Sequence, residues 1–314
     1  IPKPWEKEKL LATLSSGIKL RRSRCEVNLL KEQVEVLSGV GSSVEESIIG
    51  ESAAMQEVFT TIEKLRDADA NILILGENGT GKDVIARLLY RCSPRYGRPF
   101  VTIDLGSIPE QLFESELFGY EKGAFTDARK PKAGRMEVAT GGTLFLDEIG
   151  NLSLPMQAKL LTAIEKRQIS RLGSTQSVPI DVRLICATNA DIRYLVEEGN
   201  FRQDLLYRIN TIELHIPPLR ERGNDIILLA DHFLQRYARK YQKEMRGLTR
   251  EAKAKLLRYP WPGNVRELQH TMERAVILGD GSLLRPDNFL FQASSPRPKK
   301  EEEVLNLEQL ERQA

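Results

Sequence analysis

Between residues 49 and 217, short apolar runs alternate with stretches of helical period. The runs are 71–75 (NILIL), 100–104 (FVTID), 143–147 (TLFLD), 182–188 (VRLICAT) and 211–216 (TIELHI). Each is too short for a buried helix and rich in β-branched or aromatic residues, so each reads as a buried strand. Segments 82–91 and 154–166 repeat their apolar positions at three and four residues and read as helices between the strands. This alternation predicts an α/β domain whose mainly parallel sheet is covered by helices on both faces. After Pro217-Pro218 the strand pattern stops, and 224–241, 249–258 and 263–278 all carry helical period, which predicts a small helical domain.

The ends differ from this middle. The first 45 residues are rich in Lys, Arg, Glu and Leu, with no glycine between Gly17 and Gly39. Val27, Leu30, Val34 and Leu37 form one helical stripe that Leu20 extends backwards. Such a stripe serves a dimer seam or packs on its own domain equally well. Gly39, Gly41, Ser42 and Ser43 mark a joint. The stretch SSPRPKKEEE (294–303) reads as a linker, and LNLEQLERQA (305–314) begins another helix. The expected division is 1–45 helical linker, 46–218 α/β domain, 219–292 helical domain and 293–314 linker with the start of a further unit.

Composition narrows the function classes. With 41% hydrophobic residues and 22 glycines the chain resembles an ordinary folded protein, so disorder as the main state is excluded. The 46 Lys and Arg residues nearly balance 44 Asp and Glu, so no basic nucleic-acid coat is indicated. Three scattered cysteines, Cys25, Cys92 and Cys186, suit a reducing cytoplasm rather than a disulfide framework. His215, His232 and His270 lack metal-ligand spacing. No apolar run approaches the roughly 18 residues of a membrane span, and IPKPWEKEKLL lacks the order of a signal peptide. A cytoplasmic protein is expected.

The run Gly76-Glu77-Asn78-Gly79-Thr80-Gly81-Lys82 has the spacing of a phosphate-binding loop. It follows the strand NILIL and opens a helix, the context that this chemistry requires. Its glycines let backbone N–H groups wrap phosphate oxygens at the positive end of a helix, and Lys82 adds a point charge. Asp83 stands where a magnesium-ligating Ser or Thr is usual, and its carboxylate can hold the ion directly or through water. The strand TLFLD ends in Asp147 and Glu148, at the sheet edge where open α/β folds bind ligands. Asp147 is assigned to magnesium and Glu148 to activating the attacking water. Hydrolysis of ATP is the expected reaction, and the chain contains no Asn-Lys-x-Asp guanine motif.

Six motifs in order, Gly76–Asp83, GYEKGAFTDA (119–128), GGTLFLDE (141–148), FRQDLLYR (201–208), PPLRER (217–222) and WPGNVREL (261–268), resemble the sigma-54-dependent transcriptional activators. These are bacterial AAA+ ATPases, and the match runs from about Ile49 to Phe291. The resemblance implies an AAA+ nucleotide-binding domain with a helical lid. It implies self-association from dimers into a hexameric ring with ATP and Mg2+ between subunits. It also implies a surface loop driven against sigma-54 in the RNA polymerase holoenzyme. That loop is Gly123, Ala124, Phe125, Thr126, Asp127 and Ala128, with Phe125 and Thr126 at the sigma-contacting positions. Phe125 among Gly, Ala and charged residues is also poorly placed for a core, which fits a contact site.

Further roles come from the same resemblance. Arg202 and Arg208 match the trans-acting finger candidates. If both were helical, six residues would set them about 240° apart, and Arg208 is favoured for the γ-phosphate. Arg266 matches the residue that reports nucleotide state, Asn189 the polar sensor, and Ile49 is counted with the nucleotide-binding positions. The ends resemble part of a receiver domain and the start of a helix-turn-helix module that binds enhancer DNA. The chain would then be the central part of a two-component regulator, lacking most of its phosphorylation switch. Two positions depart from the family. Asp127 replaces a glycine, tolerably if positive φ is required there. Asp104 replaces an asparagine and would set a like charge beside Glu148. The alternatives are another AAA+ machine, which would lack the GAFTDA loop, or a nucleotide-binding scaffold without hydrolysis.

Overall fold

Ser52 accepts a hydrogen bond from the Met55 N–H, and this cap starts helix α1 (Ala53–Lys64), which buries Met55, Val58 and Ile62 on one stripe. The computed structural model describes residues 48–291; the stripe 20–37, Cys25 and the tail lie outside the described residues. Strand β1 (Ile72–Leu75) leads to helix α2 (Lys82–Arg91), then β2 (Phe100–Asp104) and helix α3 (Glu110–Phe118). A small antiparallel pair, β3 (Gly119–Tyr120) and β4 (Lys132–Ala133), precedes the single turn α4 (Arg135–Val138) and strand β5 (Thr143–Asp147). Helix α5 (Leu154–Lys166) is followed by a second antiparallel pair, β6 (Gln168–Ser170) and β7 (Ser177–Pro179). Strand β8 (Arg183–Thr188), helices α6 (Ile192–Glu197) and α7 (Gln203–Ile209), and strand β9 (Ile212–His215) complete this part.

The five apolar runs form one parallel sheet in the order β2-β5-β8-β1-β9. Alternate residues serve opposite faces, as the two-residue period of a strand demands. Leu73, Leu144, Leu146, Leu184 and Cys186 join Phe113, Leu117, Leu160 and Leu205 from α3, α5 and α7. Ile72, Ile74, Phe145, Ile185 and Ala187 join Val58, Ile62, Ile85 and Leu89 from α1 and α2. Helices therefore cover both faces, and the strands read as continuous apolar runs because neither face meets water. Cys186 is a core residue whose thiol burial pushes up to about 12.

Residues 219–291 form the helical unit from α8 (Asp225–Lys240), α9 (Arg250–Arg258) and α10 (Asn264–Leu278), with β10 (Gly247–Leu248) paired to β11 (Leu283–Leu284). Its core includes Phe233, Leu234, Leu256, Leu268 and Met272 around the fully buried Trp261, whose indole N–H donates to the Leu256 carbonyl at 2.9 Å. Among the described residues, no helix is long and apolar enough to cross a membrane.

Candidate active site

The phosphate loop leaves the sheet between β8 and β9, the point where the chain departs β1 for the far side. Strand order reverses there, which opens a crevice at the carboxyl edge. The Gly76 N–H donates to the Thr188 carbonyl and the Ile216 N–H to that of Leu75, so both neighbouring strands fix where the loop begins. Gly81 takes φ +96° at the cap of α2, and the Thr80 hydroxyl donates to the Glu77 carbonyl at 2.8 Å. Lys82 is buried; its ammonium donates to the Gly76 carbonyl at 3.1 Å and lies 3.8 Å from Glu148 Oε1. A cation held inside the turn by carbonyls is placed to meet an anion there.

Glu148 follows β5 at φ +56°, a left-handed conformation rarely adopted by a non-glycine residue. That turn aims its carboxylate back at Lys82 while the chain continues into the next helical turn. Asp147 is half-buried, and its carboxyl is held above the usual range chiefly by burial, with Lys82 opposing and Glu148 and Asp104 adding to the rise. Asp104 stands opposite Asp147 in the β2–β5 register, and its carboxylate accepts from the Gly106 N–H at 2.9 Å. The charge of Asp104 thus acts on Asp147, and Gly106 sits between the Asp104 and Glu148 side chains, which stand 3.3 and 3.7 Å from where its Cβ would be. Asp83 is exposed in the first turn of α2, and Asn189 is exposed just after β8.

The helical unit closes on the loop. Gly79, at φ +78°, accepts at its carbonyl from the Val265 and Arg266 N–H groups, and a Cβ on it would stand 2.3 Å from the Gly263 carbonyl oxygen. Asn264 is fully buried at φ +52°; its amide donates to Glu77 Oε2 and to the Asn78 carbonyl, both at 3.0 Å, and its oxygen accepts from the Leu219 N–H. Arg220 grips Glu77 with two hydrogen bonds of 2.7 and 2.9 Å. Arg222 is buried, donates to the Thr80 carbonyl at 2.8 Å, and has its pKa lowered to about 10 by desolvation. The motifs PPLRER and WPGNVREL contain these residues, yet only Arg266 carries a role in the sequence reading; it is exposed beside Gly79. A 150 Å³ cavity between the units is walled by Ile49, Val84, Ile85, Leu229 and Phe233.

The finger candidates are separated from the loop. Arg202 lies outside α7 in extended backbone and forms two hydrogen bonds to Asp204, so the 240° helical argument does not apply. Arg208 sits in the last turn of α7, and its carbonyl accepts from the Asn71 amide at the amino edge of β1. In the loop between β3 and β4, Phe125 is 42% exposed with its ring edge-on to Tyr120, at a 4.8 Å centroid separation. Thr126 and Asp127 are exposed. Positive φ falls on Gly123 and not on Asp127, so aspartate brings no backbone strain to that position. Ala128 is buried and closes the turn: its N–H donates to the Phe125 carbonyl and its own carbonyl accepts from Gly123. The loop's feet cross closely, since a Cβ on Gly119 would meet the Lys132 carbonyl oxygen at 2.4 Å.

A parallel five-stranded sheet, a lysine-bearing loop at its switch point, two acids at the end of the strand one removed from it and a helical lid define an AAA+ ATPase. The chain belongs to the sigma-54 interaction domain family, whose model matches residues 48–215, and an AAA+ ATPase lid domain matches 220–305. It is 49% identical over 243 residues to the transcriptional regulatory protein ZraR of Salmonella typhimurium, covering 77% of this chain and 55% of that protein. It is 47% identical over 255 residues to the DNA-binding transcriptional activator HyfR of Escherichia coli, covering 81% of this chain and 37% of that one. The crystal structure of NtrX from Brucella abortus with ADP superposes with a TM-score of 0.73 at 31% identity, covering 92% of this chain and 64% of NtrX. The chain thus spans little more than half the length of ZraR.

Proposed function

We propose that this chain couples ATP hydrolysis to remodelling of a sigma-54 RNA polymerase complex at a promoter, as part of a cytoplasmic two-component regulator. In this reading, backbone N–H groups of 76–82 and Lys82 hold the phosphates, and the cavity at Ile49 takes the adenine. Glu148 orients and deprotonates the attacking water. The donor chemistry at the loop fits Mg2+: Asp147, whose carboxyl feels the Lys82 charge, offers oxygen ligands beside its register partner Asp104, and exposed Asp83 would reach the ion through water. Magnesium, when bound, neutralises charge on the transferring phosphoryl group. Asn189 and Arg266 flank the site as sensors of nucleotide state.

Arg208 would act on a neighbour's nucleotide. Its backbone lies beside Asn71, five residues before Gly76 along β1, which puts about 16 Å of strand between it and its own phosphate loop. A finger so placed calls for a ring, and a hexamer is the family's usual one. Gly123, Ala124, Phe125, Thr126, Asp127 and Ala128 would meet sigma-54, with Phe125 and Thr126 presented and Ala128 holding the turn. Enhancer DNA would be bound through a module outside this chain.

The observation that carries this reading is the convergence of Lys82 and Glu148 at one edge of the sheet. Two variants test it. Glu148→Gln should bind ATP but lose phosphate release by about 10²- to 10⁴-fold. Phe125→Ala should keep hydrolysis and lose capture of sigma-54 in the presence of a transition-state phosphate analogue. Full hydrolysis by Glu148→Gln would overturn the catalytic half of the proposal, and full capture by Phe125→Ala the other half.

A further inference from the structure

Asp225 is 1% exposed in the first turn of α8, and its carboxylate reaches from the helical unit to the start of α1. Oδ1 accepts from the backbone N–H groups of Glu51 and Ser52 at 2.7 and 3.0 Å, and Oδ2 accepts from the Ser52 hydroxyl at 2.6 Å. That hydroxyl is the cap of α1, and donating to Asp225 leaves its oxygen free to accept from the Met55 N–H. The amino ends of two helices thus converge on one buried carboxylate, a charge that their dipoles favour. The Gln56 amide donates to the Gly50 carbonyl, and a Cβ on Gly50 would stand 3.1 Å from that of Met55, so the segment is also pressed against α1. Immediately before it, Ile48 and Ile49 wall the cavity between the units, and Ile49 packs on the apolar core of the helical unit. Arg222, three residues before Asp225, lines the same cavity and ties the helical unit to the Thr80 carbonyl of the phosphate loop.

We propose that Asp225 is a positioning residue for the base end of the nucleotide: by holding Glu51 and Ser52 it fixes Ile48 and Ile49 as a wall of the cavity. The proposal rests on the reading that this cavity takes the adenine. Without the carboxylate, two backbone donors and a hydroxyl lose their shared acceptor. The wall must then be ordered each time a base enters, and that ordering is subtracted from affinity. The phosphate loop is anchored by Thr188, Arg222 and Asn264 instead, so its grip on phosphate alone does not depend on Asp225.

Titration calorimetry of the whole chain with ADP and, separately, with pyrophosphate tests this. Asp225→Ala should weaken ADP binding about tenfold or more and leave pyrophosphate binding unchanged. Asp225→Asn keeps an oxygen that can accept from both N–H groups, and should restore most of the ADP affinity. Ser52→Ala removes only the hydroxyl's bond to Asp225 and the cap of α1. It should show a smaller loss of the same kind, and it carries the test if Asp225→Ala does not fold. Equal losses for both ligands would mean that Asp225 only holds the fold together, and undiminished ADP affinity would mean that Ile49 keeps its place without it; either result overturns the proposal. A parent chain that binds ADP no more tightly than pyrophosphate would instead overturn the adenine reading of the cavity, and this proposal with it.

Discussion

Asp147 ends β5 with its carboxyl partly out of water, and burial is the largest cause of its raised pKa. A carboxyl whose folded pKa exceeds its unfolded value favours the folded state while protonated, and that contribution disappears as pH rises through the folded pKa. At neutral pH the ionised group therefore costs stability in the protein without nucleotide. Asp147→Asn should raise the melting temperature near pH 7 by a few degrees, and the gain should shrink as pH falls towards 4. Scanning calorimetry across that range checks both the sign and the trend; a variant less stable than the parent at pH 7 would refute it. Asp104→Asn should move the same curve by a smaller amount, because Asp104 is the least of the causes acting on Asp147. Strain tells the same story at the next residue. Glu148 at φ +56° occupies a conformation that costs of order 1 kcal/mol or more, tolerated where aiming a carboxylate matters more than local comfort.

Among the elements, the amino end of α10 and the phosphate loop behave as one clamp with a strong and a weak jaw. Asn264 is buried and satisfies Glu77, the Asn78 carbonyl and the Leu219 N–H at once. Asn264→Ala should cost about 2–3 kcal/mol in chemical denaturation and weaken ATP binding, because it orphans buried partners and leaves alanine at positive φ. Arg220→Ala breaks an ion pair that is 43% exposed on both sides and should cost less than about 1 kcal/mol. Equal losses in the two variants would mean that the clamp is not graded by burial. The sheet was legible because its five runs are continuously apolar, and helices such as 224–241 were legible to within a residue because their stripe is long. The two antiparallel pairs were not: strands of two or three residues carry no usable period. Nothing in the sequence marks Arg222, Asp225 and Asn264 as buried, since only the closure of the helical unit covers them. The exposure of Phe125 was readable for the opposite reason, an aromatic ring whose neighbours in sequence are small or polar.

The whole molecule poses a question of geometry that one chain leaves half answered: each subunit holds a complete phosphate loop at one end of its sheet and Arg208 at the other. If Arg208 is the finger proposed above, it completes a neighbour's pocket and not its own. Mixing two inactive proteins tests this directly. Lys82→Ala removes the cation that holds phosphate and keeps Arg208; Arg208→Ala keeps the loop and loses the finger. Neither should hydrolyse ATP alone at more than a small fraction of the parent rate, since a finger contributes about 10³- to 10⁵-fold. In mixed assemblies some intact loops will by chance face an intact finger, and those pockets should turn over. Phosphate release should therefore rise above the sum of the separate proteins and grow with total concentration as assembly proceeds. Purely additive rates at every mixing ratio would mean that Arg208 serves its own subunit or none. The same experiment repeated with Arg202→Ala in place of Arg208→Ala separates the two arginines. Held by Asp204 outside the helix, Arg202 must first break two hydrogen bonds to reach across, so its removal should cost the parent protein less activity.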